Sequence, residues 1–172
     1  MPKKLRKRLY VEKGFTLLEL LIVITVISIL ASLLVVVLNA GEYLGASRDS
    51  HRVTDLNKVQ LAITNALTDN AIELTDTTGC TTCNSLTGTT AIDGTGWVQF
   101  NNTSGNGLSG LLFVLPVDPT NEGNHVYRYY SNGTDFEINV NFESEKFTNE
   151  NAVSDGGNND SVYEKGWDLT IN

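Results

Sequence analysis

The 24 residues Phe15–Leu38 contain a single ionisable side chain, Glu19. About 20 apolar residues suffice for a helix that crosses a bilayer, so this run is long enough to span one. The segment before it, Met1–Gly14, holds Lys3, Lys4, Arg6, Lys7, Arg8 and Lys13 against one acid, Glu12. Basic residues flanking an apolar span stay on the cytoplasmic side. The pattern therefore predicts a cytoplasmic N-terminus, with everything after about Asn39 outside the membrane. An ordinary secretory signal peptide has an apolar core of about 7–15 residues. Here the core is longer, and the only Ala-type exit, Leu38-Asn39-Ala40, has a bulky Leu where a small residue is wanted. An uncleaved anchor stays open as an alternative.

At 172 residues the chain has room for one globular domain and little more. Beyond Gly14 it carries six basic and nineteen acidic residues, a net charge of −13. That balance works against wide electrostatic binding of phosphate backbones and suits solubility and secretion. The two cysteines, Cys80 and Cys83, agree with export. A Cys-x-x-Cys pair is redox-active, half of a zinc site or a short structural disulfide. With no second pair and no βαβ context, a disulfide closing a tight loop is the best reading.

Periodicity gives the organisation. Val53, Leu56, Val59, Ile63 and Leu67 fall at steps of three and four, on one face of a helix, while Arg52, Asp55, Lys58 and Asn65 face elsewhere. One long helix is expected from Phe15 to about Thr68, apolar all round at first and amphipathic later, weakest near Gly41 and Gly45. Residues 69–110 read as a long surface connection with a candidate strand at Gly96–Phe100. Val126–Ser131 and Thr134–Glu143 flank Asn132-Gly133, a strong hairpin cue. In the second run Phe136, Ile138, Val140 and Phe142 alternate with Glu137, Asn139, Asn141 and Glu143, so one face should be apolar and the other polar. Trp167–Ile171 is a candidate last strand. The expected class is α+β, with the Val53–Leu67 face covering a small antiparallel sheet.

The stretch Lys13-Gly14-Phe15-Thr16-Leu17-Leu18-Glu19 resembles the prepilin cleavage motif of type IV pilins and type II secretion pseudopilins. A short basic leader ends in Gly, an aromatic residue follows, an acid stands five residues past the Gly, and all are fused to an apolar helix. A glycine before the scissile bond lets the backbone enter a tight protease site. The resemblance implies a leader at 1–14, a transmembrane and polymerisation helix at 15–38, and an extracytoplasmic pilin head at 39–172. It also implies cleavage between Gly14 and Phe15 by prepilin peptidase, N-methylation of Phe15, and an inner-membrane assembly platform as partner. The product would be a homopolymeric filament, a type IV pilus or a secretion pseudopilus, outside the cytoplasmic membrane. Glu19 is costly in a bilayer. It either favours the positive end of its own helix and its own new α-ammonium group, or pairs with the Phe15 ammonium of a neighbouring subunit and sets axial register. Many pilins carry a proline in the second half of this helix. Here Val35-Val36-Val37 runs through without one, which moves any melting on assembly to Gly41–Gly45. A minor or competence-type pilin that binds DNA or a surface at the filament tip is the alternative role.

Weaker signals remain. Leu115-Pro116-Val117-Asp118-Pro119 followed by Tyr127-Arg128-Tyr129-Tyr130 is similar to a region of major pseudopilins, where it reads as a turn feeding the sheet. Asp155, Asn158 and Asp160, with Glu164 beyond, offer oxygen ligands on a flexible loop, and major pseudopilins carry calcium in a comparable loop. Calcium is the one cofactor candidate, although the spacing is not that of an EF-hand. His51 and Asp55, four apart on the helix, read as a surface contact. No nucleophile elbow, P-loop, dinucleotide fingerprint or metal-protease signature occurs, so no enzymatic activity is expected.

Overall fold

The computed structural model describes residues 14–172, and the basic leader with its topology signal lies outside the described residues. The chain divides into two units, the second being Gly41–Asn172. In the first unit, α1 (Leu17–Leu38) begins at the N-cap Thr16. Leu17–Val35 is long and apolar enough to cross a membrane. Its three hydroxyl residues hide their polarity locally: Thr25, Ser28 and Ser32 donate to the carbonyls of Ile22, Ile24 and Ile29 at 2.7–2.8 Å. Such self-satisfaction suits a helix that must live without water.

The expected single helix is instead two. Asn39, at φ −103° and ψ 14°, leaves helical geometry, and its N–H turns to the Val37 carbonyl. Asparagine competes well for such local bonds. Gly41 and Gly45, expected as weak points, lie inside α2 (Ala40–Thr68). Gly45 has a packing reason to be glycine, because a Cβ there would approach Glu143 Cβ to 3.2 Å.

In the second unit the predicted face of α2 is buried. Leu56, Val59 and Ile63 are fully enclosed, and Val53 and Leu67 pack at the margins of the same core. Each fully buried side chain of this kind contributes about 1.5–3 kcal/mol. A three-stranded antiparallel sheet takes the order β3 (Arg128–Ser131), β4 (Phe136–Val140), β5 (Tyr163–Gly166). A separate two-stranded ladder joins β1 (Ile72–Leu74) to β2 (Phe100–Asn102). Between β4 and β5 lie a short helix, α3 (Glu145–Phe147), and a π-helical turn, Thr148–Ala152.

Four expectations need correction. The strand placed at Gly96–Phe100 is found at Phe100–Asn102, and Trp97 and Val98 are instead plugs in the core. Trp97 donates its indole N–H to the Pro116 carbonyl at 3.0 Å, so the long connection is anchored inside rather than merely laid over the surface. The last strand is Tyr163–Gly166, one segment before the expected Trp167–Ile171. Arg52, expected to face away from the core, is fully buried. Finally, both faces of β4 are buried, although its alternation predicts one wet face. The C-terminus covers the polar side, where the amides of Ile171 and Asn172 donate to Glu137 Oε2 at 2.9 and 3.4 Å.

Candidate functional site

Gly14, Phe15 and Thr16 precede the first turn of α1 and are exposed. A Cβ built on Gly14 meets nothing within 4 Å, so no packing inside the described structure calls for glycine there. Phe15 exposes most of its ring. Glu19 closes a capping box. Its amide donates to Thr16 Oγ1 at 3.2 Å, and its Oε2 accepts from the Thr16 amide and hydroxyl at 3.1 Å each. This role was legible as Thr-x-x-Glu before an apolar run. It places the carboxylate at the positive end of its own helix.

In the second unit a buried ionic latch joins three distant segments. Arg52 donates through Nε and Nη2 to the two oxygens of Asp118 at 2.7 and 2.8 Å, a bidentate pair. Its Nη1 reaches Asp49 Oδ1 at 2.7 Å and Glu143 Oε1 at 2.6 Å. Asp49 in turn accepts from the Ser144 amide at 2.8 Å and from its hydroxyl at 2.7 Å. Arg48 forks onto Glu143 from the next position along the helix. Burial would lower the Arg52 pKa, but the bonds to Asp118, Asp49 and Glu143 outweigh it and raise it above its ordinary value. Burial likewise works to raise Asp118, and the Arg52 bond and the Thr120 and Asn121 amides overcome it and lower the carboxyl. Glu143, bonded first of all to Arg48, is held down at about 2. The sequence gives only the Asp49–Arg52 spacing, and its long-range partners could not be read from it.

Cys80 and Cys83 form the expected disulfide. It borders a cleft shared with Thr78, Thr81, Asn84, Arg128 and Tyr130, whose lining contains neither an acid nor a histidine. His51 has no part in a pair with Asp55, whose carboxylate instead meets Lys58 Nζ at 3.3 Å and accepts from the Tyr127 hydroxyl at 3.2 Å. The three loop residues considered for calcium have separate engagements. Asp155 accepts from the Gly157 and Glu164 amides at 2.8 Å each, and Asn158 donates to the Asn172 carbonyl at 3.1 Å. Asp160 is exposed. Among the described residues no three His, Cys, Asp or Glu side chains gather at metal-binding spacing. Glu164 itself is buried on the polar face of β5. Burial, then the charge of Glu137 and further on that of Asp155, push its carboxyl up to about 7, opposed by the backbone amides of Asn159 and Asn158.

Residues 11–35 match the family model described as the prokaryotic N-terminal methylation motif, the signal of type IV pilins and pseudopilins. No curated protein and no solved structure matches the chain. An apolar N-terminal helix, a second helix and small antiparallel sheets fit the pilin fold. The family that carries this motif consists of structural, pilin-type proteins rather than enzymes.

Proposed function

We propose that this chain is the precursor of a filament subunit, cut between Gly14 and Phe15 by prepilin peptidase, N-methylated on Phe15 and polymerised through α1. The observation that carries the reading is a methylation motif fused to an apolar helix whose described side chains are all exposed. Before assembly the membrane covers that surface. After extraction the same surface needs other apolar helices, and neighbouring copies supply them at about 25 cal/mol per Å² buried. The acidic heads then coat the outside of a filament beyond the cytoplasmic membrane. Their charge and anchored core support a passive structural role over an enzymatic one.

Glu19 supports the assembly step. Among the described residues its carboxylate bonds to Thr16, next to the residue that becomes the new N-terminus. Exchange of the Thr16 contacts for the Phe15 ammonium of a neighbour sets axial register while keeping the carboxylate paired. Pairs of this kind contribute specificity more reliably than net stability.

Mass spectrometry of the protein extracted from membranes tests the common premise. The expected mature chain begins at Phe15 and carries one added methyl group. A mature N-terminus at any other residue overturns the reading.

A further inference from the structure

The outer edge of β3 is covered by the chain that carries the disulfide. The Thr77 amide donates to the Ser131 carbonyl at 2.9 Å, and the Tyr129 amide donates to the Cys83 carbonyl at 2.9 Å. In a regular antiparallel ladder two residues of one strand answer two of the other. Here the six steps from Thr77 to Cys83 answer the two from Ser131 to Tyr129, so four residues are in excess and the chain bows outward. Cys80–Cys83 ties the bow, and a cleft of about 510 Å³ opens between it and the strand. That volume falls within the range of small-molecule sites.

The wall of the cleft is polar and has unspent bonding capacity. A strand residue turns its carbonyl to the same side as its amide, so the Tyr129 carbonyl faces the bow, where among the described residues no donor reaches it. Thr81 is pinned through its carbonyl, which accepts from the Asn84 amide group and the Thr87 hydroxyl at 3.2 and 2.7 Å. Its own exposed hydroxyl has no partner among the described residues. Tyr130 adds a half-buried aromatic ring.

Arg128 supplies the charge. Beyond Gly14 the chain has three arginines. Arg48 and Arg52 each set the Nε–Nη2 edge of the guanidinium against both oxygens of a carboxylate, Glu143 and Asp118 respectively. Arg128 is anchored through Nη1, to the Asn124 carbonyl at 3.3 Å and the Asn141 side chain at 3.4 Å. Among the described residues its Nε–Nη2 edge has no partner and it makes no ion pair. No acid lines the cleft, and Asp76, at the foot of the bow, spends its carboxylate on the Thr78 amide at 2.8 Å. An unfilled guanidinium edge fits a carboxylate bidentately.

We propose that the cleft between the Cys80–Cys83 bow and β3 binds an acidic saccharide, with a uronic acid carboxylate paired to Arg128. Sugar hydroxyls donate to the Tyr129 carbonyl and exchange hydrogen bonds with the Thr81 hydroxyl, and the sugar ring packs on Tyr130. A peptide carboxylate fits less well, because the wall offers side chains little apolar surface beyond Ile171 and the disulfide. Glycoside hydrolysis uses a pair of carboxylates, and the lining has none, so the site binds without cleaving. It lies wholly in the second unit and needs neither cleavage at Gly14 nor a filament.

Calorimetric titration of the full-length protein in detergent with trigalacturonate tests this, beside its methyl ester, acetate and triglycine. The trimer should bind, and the ester, acetate and triglycine should each bind at least tenfold more weakly. Arg128→Gln should also lose at least tenfold, and Arg128→Lys should regain only part of it, since an ammonium cannot fork. Thr81→Ala, at an exposed site held through its backbone, should fold normally and weaken binding about threefold. Absence of trigalacturonate binding overturns the proposal, as does wild-type affinity in Arg128→Gln or, should that variant not fold, in Thr81→Ala. Equal binding of acetate reduces the cleft to a bare anion site, and equal binding of triglycine makes it a peptide-terminus site. Either result overturns it too.

Discussion

Glu19 can be separated into two roles by one atom. Glutamine at the third position of a helix completes a capping box as glutamate does, but carries no charge. Glu19→Gln should therefore keep α1 capped and leave processing intact, yet enter filaments beside wild-type subunits as poorly as Glu19→Ala. Filament content measured by immunoblot of sheared fibres checks this. Normal incorporation of the glutamine variant would reduce Glu19 to a cap worth about 1 kcal/mol. Arg52 presents the opposite case, a charge with three carboxylates around it. Its loss leaves Asp49 and Asp118 buried without their countercharge. Arg52→Ala should cost about 3–5 kcal/mol, read by urea unfolding of the solubilised chain. Arg52→Lys should recover only a minor part, since a point charge cannot span the bidentate Asp118 contact.

Among the elements, β4 and β5 pair with no room for a side chain at Gly166. A Cβ at Gly166 would lie 2.0 Å from the Phe136 carbonyl oxygen and 2.9 Å from Glu137 Cα, both backbone atoms that cannot step aside. Gly166→Ala should push β5 off β4 and lower Tm by several degrees. Gly41→Ala, at a helical site open on all sides, should gain up to about 1 kcal/mol. Equal Tm values for the two variants would contradict this account of strand packing. The amphipathic half of α2 was readable because its apolar residues follow the helical period. The break at Asn39 was not, because one asparagine leaving the helix disturbs no periodicity.

Across the second unit, Glu143 links acid stability to the latch. Its carboxyl titrates at about 2 in the folded state and near the ordinary glutamate value when unfolded. A depressed pKa stabilises above the unfolded value and ceases to do so as pH falls through the folded one. Wild type should thus exceed Glu143→Gln in Tm above about pH 5, and the difference should shrink steadily toward pH 2. A gap that stays constant over that range would mean the contact is steric rather than ionic.

The apolar helix and its methylation motif were legible in the sequence. The apolar run and the Thr16–Glu19 capping box are local signals, because helix formation and capping act on contiguous sequence. The hairpin at Asn132-Gly133 and the disulfide were legible for the same reason. Only the tertiary structure decided the fate of charges in the head. Arg52 reads as solvated on a helical wheel, and Glu137 and Asn139 read as the wet side of an alternating strand. Burial depends on what the chain returns to place over them: Asp118 and Glu143 over Arg52, and the C-terminal residues Ile171 and Asn172 over Glu137. Those partners stand far away in sequence, and no local period records them.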